Sequence, residues 1–266
     1  QSSCQRIVSH QPPSRATDPP RLLHFTEGLK GAVQEILAEI ADWPDRLEAS
    51  CLGTKFDEGL VRVLASCDST QDVARMIGIG AAVTTGRQTA GRGRLGRVWI
   101  DDEGAGIALS LAVPMQDPAT ISLASGIAVL EAIRAMVPPS IGPTIGLKFP
   151  NDVVEATSGA KIAGILVEAS EGVAVIGIGI NLHRRSWPPG IHARSVEELA
   201  SKSTLRRIDL LESLPPRLSR ALDLSPSEVA HRFSKAHAPT GCRIYCVSVY
   251  CACTCIEHST RGSSSS

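Results

Sequence analysis

Residues 161–181 read KIAGILVEASEGVAVIGIGIN, the most informative stretch of the chain for its architecture. Its two apolar runs, 161–168 and 173–180, are separated by residues 169–172 alone. So short a connection predicts an antiparallel hairpin, because a parallel pair needs a crossover of about a dozen residues or more. The stretch therefore predicts an α+β protein with a mainly antiparallel or mixed sheet and helices packed on one side.

Strand and helix patterns continue on both sides of this hairpin. Apolar runs bounded by Gly, Pro or polar residues predict strands at 60–66, 81–85, 107–113 and 144–149. Helical spacing and helix-start signals predict helices at 28–43, 119–136, 196–200, 205–222 and 225–236. We expect Ser69 to cap another helix, with Asp72 placed to reach back to it. Residues 1–20, rich in Ser, Gln and Pro, are predicted to be disordered.

Composition limits the class of protein. The chain has 266 residues, and its 27 basic and 27 acidic residues balance, which argues against a generally cationic protein that coats nucleic acid. We find no apolar run near the roughly 18 residues of a membrane span and no signal-peptide pattern, so we expect a soluble cytoplasmic protein without membrane contact. Five of the eight cysteines crowd residues 242–255, which does not favour a disulfide framework.

A glycine- and arginine-rich segment, residues 86–97, reads GRQTAGRGRLGR and contains four glycines, four arginines and no acid. Glycine lets the backbone approach a ligand closely, and the arginine fork matches phosphate or carboxylate oxygens. The segment therefore predicts a mobile clamp for an anionic ligand. A solvated basic loop and an arginine–glycine tether for nucleic acid are the alternatives, although such tethers usually repeat and this segment occurs once.

Other unusual positions follow along the chain. Lys148, Asn151 and Asp152 flank a proline at the end of a predicted strand, which brings a lysine, an amide and a carboxylate to one rim. Gly164, and the alternating Gly177 and Gly179, place glycines on one face of the predicted hairpin. Such a face could be a floor for a flat ligand. Close packing of the sheet against a helix explains the glycines equally well.

Five sequence blocks, in this order, resemble the catalytic domain of the biotin–protein ligases, within the biotin/lipoate ligase superfamily. They read STQ (69–71), QTAGRGRLGRVW (88–99), KFPND (148–152), KIAGILVE (161–168) and GIGIN (177–181). The resemblance covers about residues 60–185. Lipoate ligases carry a different segment where this chain has GRGRLGRVW.

The resemblance implies an ATP- and Mg²⁺-dependent biotin–[acetyl-CoA-carboxylase] ligase with a class II synthetase-like fold. Such an enzyme converts biotin to biotinyl-5′-AMP and passes it to a lysine of a biotin carboxyl carrier protein. The implied catalytic residues are Lys161, Arg92 and Arg94, with Asp152 as a Mg²⁺ ligand. Biotin would contact Ser69, Thr70, Gln88, Gly91, Arg92, Lys161, Gly164 and Gly179. The nucleotide would contact Arg92, Arg94, Arg97, Trp99, Lys148, Asn151, Lys161 and Asn181.

The chain departs from the family pattern at several points. Gln71 replaces a usual Asn, Phe149 a usual Trp, and Leu95 an often basic residue. We expect an N-terminal extension at 1–58, a catalytic domain at 59–240 and a Cys/Ser-rich tail at 241–266, where we recognise neither a strand pattern nor the family's small C-terminal β domain. A protein that binds biotin or its adenylate without efficient transfer is therefore the alternative function. No helix-turn-helix precedes the catalytic region, so DNA binding is not predicted, and a homodimer is left open.

Overall fold

The computed structural model describes residues 7–8, 30–100, 104–200, 205–238, 242–247 and 250–255. Within these residues, eight strands form one mixed sheet in the order β1-β2-β3-β6-β10-β9-β8-β7, and only β2 and β3 are parallel neighbours. The strands are β1 (Ile7–Val8), β2 (Val61–Cys67), β3 (Ala82–Gln88), β6 (Gly106–Pro114), β7 (Ile145–Lys148), β8 (Asp152–Glu155), β9 (Lys161–Ser170) and β10 (Val173–Asn181). Two small antiparallel pairs lie outside it: β4 (Gly91–Arg92) with β5 (Val98–Trp99), and β11 (Cys242–Val247) with β12 (Tyr250–Cys255).

The predicted hairpin is confirmed at the centre of this sheet. Strands β9 and β10 pair from Ser170 and Val173 to Ala163 and Ile180, so Gly164 lies opposite Gly179. Between them, Glu171 and Gly172 both have positive φ (51° and 80°), as a two-residue turn that follows the strand twist requires. The α+β class with a mainly antiparallel sheet is therefore confirmed.

Eight α-helices surround the sheet in the described residues. They are α1 (Lys30–Glu39), α2 (Trp43–Cys51), α3 (Thr70–Ile77), α4 (Pro118–Met136), α5 (Val196–Ala200), α6 (Arg207–Leu211), α7 (Leu214–Leu222) and α8 (Pro226–Ala236). Most of them share one large apolar cluster with one face of the sheet. Helix α3 is the exception, because its Val73 and Ala74 pack with Val83, Ala112 and Val175 in a second cluster on the opposite face.

Helix α4 is the long central helix predicted at 119–136. Its 19 residues are long and apolar enough to cross a membrane by length and composition, contrary to our expectation that no segment reaches that length. However, 61% of the relevant window is buried in the fold, which is typical of a core helix. Asp117 caps its start, with its carboxylate accepting a hydrogen bond from the Thr120 amide (2.8 Å).

Three helix predictions are corrected. The predicted helix at 28–43 ends at Glu39, and α2 begins anew at Trp43, with Pro44 in its first turn. The predicted helix at 205–222 is divided into α6 and α7, because Pro215 and Pro216 have no backbone N–H to continue α6 and are tolerated only in the first turn of a helix. Ser69 does precede α3, but its side chain makes no capping hydrogen bond.

Strands were also missed. Four-residue β8 follows directly after the proline turn, too short for its pattern to stand out beside β9. In the predicted disordered N-terminus, Ile7–Val8 pairs with β2, while residues 1–6 and 9–20 lie outside the described part. In the tail, β11 and β12 form an antiparallel pair where we expected no strands.

Candidate active site

One face of the sheet carries a row of residues that become smaller toward its middle. The strand registers place Lys148 opposite Asp152, Asp152 opposite Gly164, Gly164 opposite Gly179, and Gly179 opposite Ala108. Directly opposed residues point to the same face of a sheet. Charged side chains at the β7–β8 edge therefore give way to a bare floor at the centre.

A second row, next to the first, borders α3. It contains Leu166, Gly177 and Ser110 in register, and the row beyond it lies under α3. A Cβ at Gly177 would lie 2.6 Å from the Gln71 side-chain carbon of α3, because the Gln71 amide lies over this glycine and donates to the Leu166 carbonyl (3.3 Å). Helix α3 thus covers the half of this face that contains Gly177, and the cavity lies over the other half, which contains Gly164 and Gly179.

The side chain that lies on the glycine floor is Trp99. A Cβ at Gly179 would come within 2.4 Å of its indole ring, and one at Gly164 within 3.3 Å. Trp99 reaches this position from β5, paired with Gly91 of β4, where a Cβ would lie 2.5 Å from the Trp99 carbonyl oxygen. Gly179 therefore admits the aromatic ring, and Gly164 admits the Lys161 side chain, whose Nζ would lie 2.8 Å from a Cβ there, so the alternative of close helix packing does not apply at either position.

Lys161 stands at the edge of this floor. Its ammonium lies 2.7 Å from a carboxylate oxygen of Asp152 and 5.6 Å from the centroid of the Trp99 ring. Its backbone carbonyl accepts a hydrogen bond from the side-chain amide of Asn181 (3.1 Å). Asn181, which we expected to face the nucleotide, is buried and holds the Lys161 backbone. Lys161 is thus fixed by its main chain and by its charge.

Arg92 is bound by two acidic side chains of the protein. Its guanidinium donates to both carboxylate oxygens of Asp72 (2.7 and 2.8 Å) and to Glu168 (3.1 Å), which also accepts from Arg75 (2.9 Å). This fork lowers the pKa of Asp72, chiefly through the hydrogen bonds from Arg92. Asp72 and Glu168 belong to the site but were not predicted, since their partner lies 20 and 76 residues away.

Two polar networks complete the walls. The Arg94 guanidinium donates to the Asn151 side-chain oxygen (3.1 Å), and the Asn151 amide donates to the Ile165 carbonyl (2.8 Å). On the opposite wall, the Thr70 amide and hydroxyl donate to the Gln88 side-chain oxygen (3.0 and 3.2 Å). The Thr70 hydroxyl also lies 2.8 Å from that of Ser110, which sequence reasoning missed because it lies in a predicted apolar strand.

The structure brings together part of the predicted set. The cavity is lined by Thr70, Gln88, Arg92, Arg94, Trp99, Asn151, Lys161, Gly164 and Gly179 among the predicted residues. It is not lined by Ser69, Gly91, Arg97, Asp152, Lys148 or Asn181. Ser69 is buried beneath α3, while Lys148 and Arg97 are exposed. Gly91 and Asp152 instead contact the lining residues Trp99 and Lys161.

The cavity between these walls is nearly filled by side chains. It has a volume of about 50 Å³, whereas small-molecule sites usually offer about 300 Å³ or more. Trp99, Gln71 and Lys161 fill the remaining space, and the β4–β5 segment forms the roof. A ligand the size of a vitamin or nucleotide therefore requires Trp99 and its segment to move.

The site thus combines a glycine floor, an aromatic ring on that floor and cations at two edges, which are the features predicted for a clamp that holds an anionic ligand. Comparison with known proteins agrees with this. The sequence pattern of the biotin/lipoate A/B protein ligase family matches residues 77–183. This match, which spans 107 of the 266 residues, supports a catalytic domain of the biotin/lipoate ligase superfamily within that part of the chain.

Two similar proteins are ligases by name. The chain is 39% identical over 114 residues to the bifunctional ligase/repressor BirA of Bacillus spizizenii, covering 40% of this chain and 34% of that protein. It is 43% identical over 82 residues to the biotin–[acetyl-CoA-carboxylase] ligase of Mycobacterium tuberculosis, covering 28% and 30%. These matches span about a third of the relatives' length.

Solved structures give the same fold. The biotin protein ligase of Aquifex aeolicus in complex with biotin and ATP superimposes with a TM-score of 0.59 and 29% identity, covering 73% of this chain and 84% of that one. The Leishmania major biotin protein ligase with biotinyl-5-AMP superimposes with a TM-score of 0.58 at 24% identity, covering 71% and 91%, and supports the fold alone.

Proposed function

We propose that this chain uses ATP to activate biotin and attaches it to a lysine of a biotin carboxyl carrier domain. The biotin carboxylate attacks the α-phosphate of ATP, which forms biotinyl-5′-AMP and releases pyrophosphate. The acceptor lysine then attacks the mixed anhydride, which forms an amide and releases AMP. The observation that carries this proposal is the convergence of Lys161 and Arg94 on the glycine floor of a domain of this ligase family.

The arrangement of charges suits the first step. Two anions must meet, so fixed cations that neutralise the developing charge supply most of the catalysis. Lys161 is held at the floor by Asp152 and Asn181, and we assign it to the reacting carboxylate and α-phosphate. We assign Arg94 and Asn151 to the phosphates, and Thr70 and Gln88 to the polar ring of biotin.

Arg92 changes partner in this proposal. Its two acidic partners occupy the guanidinium fork that a ligand carboxylate or phosphate would use. Since charge-assisted hydrogen bonds of this kind are strong, the ligand has to compete with Asp72 and Glu168. We propose that the β4–β5 segment opens by releasing Arg92 and lifting Trp99, and closes again over the adenylate.

Magnesium is expected to enter together with ATP. Among the described residues, no three His, Cys, Asp or Glu side chains group so as to hold a metal ion. Mg²⁺ is usually bound by one or two carboxylates and the substrate phosphates, so a single carboxylate is sufficient. Asp152 is the carboxylate we assign to it, although it is now paired with Lys161. Bound there, the ion would neutralise phosphate charge.

The test measures the two steps separately. Purified protein is given ATP and Mg²⁺ with and without biotin, pyrophosphate release is followed, and a carboxyl carrier domain is then added. We expect biotin-dependent release followed by labelling of the carrier. Release without labelling would leave the first step and exclude efficient transfer, the alternative function above. Release that does not depend on biotin, or none, would contradict the proposal.

A further inference from the structure

A buried arginine lies behind the candidate active site and does not line it. Arg207, the first residue of α6, has a side chain that is 1% exposed. Its guanidinium donates from Nε to Glu39 of α1 (2.7 Å) and from Nη2 to the other oxygen of the same carboxylate, and it stacks 4.8 Å from the centroid of Trp43. Because a buried guanidinium needs acceptors for its N–H groups, the remaining nitrogen, Nη1, donates to carbonyl groups of the sheet.

That nitrogen lies where two strands separate. Strands β3 and β6 pair from Ala82 and Leu111 only as far as Thr84 and Leu109. Beyond this point, Nη1 of Arg207 donates to the carbonyl of Gly86 in β3 (2.7 Å) and more weakly to that of Gly106 in β6 (3.4 Å). One side chain thus bridges the two diverging strands.

The same contact constrains the chain just before β6. A Cβ at Gly104 would lie 2.9 Å from the Gly86 carbonyl oxygen and 3.1 Å from Nη1 of Arg207, so only a glycine fits without displacing them. Gly104 also has a positive φ of 70°. The backbone therefore approaches the guanidinium closely at both ends of the intervening segment.

That segment, residues 87–105, is described at 87–100 and 104–105 and includes the β4–β5 roof of the site. It includes Gln88, Arg92, Arg94 and Trp99, all of which line the cavity. We propose that Arg207 is a positioning residue that fixes both ends of segment 87–105 and thereby favours the arrangement in which this segment closes over bound ligand. This inference rests on the proposed function for its kinetic readout, but not for its structural one.

The physical basis is the number of conformations open to the segment. With its ends tied to one rigid fork, the segment samples fewer arrangements, so less order has to be gained when a ligand binds. Without the fork, only a fraction of molecules hold the competent arrangement, and the apparent affinity falls by that fraction. A lysine cannot replace it, because an ammonium is not a planar fork that reaches several acceptors at fixed angles.

Arg207→Met and Arg207→Lys test the proposal. In both we expect the KM for biotin to rise about tenfold while kcat at saturating biotin stays within about threefold, since saturating ligand restores the competent arrangement. A general loss of folded protein would instead lower kcat and leave KM unchanged. An unchanged KM in a folded variant would overturn the proposal.

Arg46→Met is the matched control. Arg46 of α2 also joins an N-terminal helix to the α6 region, through Asp209 and Glu212 (2.9 and 2.6 Å), but none of its ion pairs involves residues 87–100 or 104–105. We expect it to keep the wild-type KM. Glu39→Gln is the second variant in case Arg207→Met does not fold, because the Gln side chain keeps an oxygen that can accept from Arg207 and so perturbs the fold less. Glu39→Gln should raise the KM for biotin by a smaller factor than Arg207→Met does. An equal rise in KM in Arg46→Met and Arg207→Met would contradict the positioning role of Arg207.

A ligand-free measurement separates this inference from the proposed function. Trypsin cleavage after Arg92, Arg94 and Arg97, followed by mass spectrometry, reports how often the segment opens. We expect cleavage about fivefold faster in Arg207→Met than in the wild type and Arg46→Met, since local opening exposes the chain. Equal cleavage rates would overturn the inference even if the enzyme is a biotin ligase. If the wild type makes no biotinyl adenylate, the proposed function fails and this assay alone decides the role of Arg207.

Discussion

Two cations of the site are already paired with acidic side chains. Lys161 contacts Asp152, and Arg92 contacts Asp72 and Glu168, whereas Arg94 donates to the neutral Asn151 side chain. The two pairs differ in kind. Lys161 makes one ion pair at the floor, with Asp152, whereas Arg92 uses its fork on the Asp72 carboxylate, which is 55% exposed. We therefore assign chemistry to Lys161 and opening to Arg92.

Lys161→Ala tests the first assignment. Biotin-dependent pyrophosphate release should fall at least about 100-fold if the ammonium acts mainly on transition-state charge. Lys55→Ala is the control, because Lys55 pairs with Asp223 (2.5 Å) and does not line the cavity. It should retain wild-type activity. A loss of less than about tenfold in Lys161→Ala would contradict the catalytic role.

Asp72→Asn tests the Arg92 pair through pH. Because Arg92 lowers the pKa of Asp72, the unfolded chain, with an Asp pKa of about 3.9, binds this proton more tightly than the folded protein does. The pair therefore stabilises the fold above that value, and the contribution is lost as pH falls through the folded pKa. At pH 7 we expect the free energy of unfolding of the wild type to exceed that of Asp72→Asn by less than about 1 kcal/mol, since the ion pair is exposed.

Urea unfolding of both proteins at pH 7 and pH 3 measures this difference. It should shrink at pH 3, because this pH lies below the Asp pKa of about 3.9 in the unfolded chain, where the stabilisation begins to be lost. A difference of the same size at both pH values would show that the substitution acts through something other than the ion pair with Arg92.

At the scale of elements, the β4–β5 segment packs on the β9–β10 hairpin at Gly179, because this glycine has no side chain to block the Trp99 ring. Gly179→Ala should push the Trp99 ring off the floor, because the new Cβ would lie 2.4 Å from the ring, well inside van der Waals contact. We expect altered Trp fluorescence and at least a tenfold loss of biotin-dependent pyrophosphate release, because displaced side chains no longer position the reacting groups.

Gly126→Ala is the matched control for this prediction. Gly126 lies inside α4, and a Cβ there would meet Leu147 at 3.4 Å, an ordinary contact. Ala is also the better helix former, so stability should be equal or slightly higher. Unchanged fluorescence and activity in Gly179→Ala would contradict the position of Trp99.

Local patterns predicted the elements that have strong periodicity. The β9–β10 hairpin and α4 follow directly from apolar spacing and turn length, and Ser225 with Glu228 forms the capping box that begins α8. The short strand β8 and the division of the predicted helix at 205–222 were missed, since they depend on a few residues and on packing. Sequence also could not pair Arg207 with Gly86, which lies 121 residues away.

The same limit applies to the site. The basic segment, Lys161 and the glycines were visible because their residue types are unusual in their positions. Asp72, Glu168 and Ser110 were not, because a carboxylate or hydroxyl in a helix or strand is usually solvated or structural. Trp99 was predicted as a nucleotide contact through the family resemblance, but its place on the Gly179 floor emerges only from the fold.

For the whole molecule, the structure bears on where the catalytic domain begins. We expected an N-terminal extension at 1–58, with its helix packed against the main domain. Trp43, Leu47 and Phe56 lie in the same apolar cluster as Leu109 of β6 and Leu210 of α6. Helix α2 is thus continuous with the core of the sheet, and we propose that the folded unit begins at or before Trp43.

Two leucines of this region give a test in which only burial differs. Leu47 is 0% exposed and Leu52, five residues later, is 65% exposed. If α2 belongs to the core, Leu47→Ala should lower the free energy of unfolding by about 2–5 kcal/mol, because it removes buried methyl groups and leaves a cavity. Leu52→Ala should stay within about 0.5 kcal/mol of the wild type. Urea unfolding followed by circular dichroism measures both, and a single transition in Leu47→Ala would show that α2 unfolds with the sheet. A separate early transition, or equal small effects of the two substitutions, would instead make residues before 59 an independent extension.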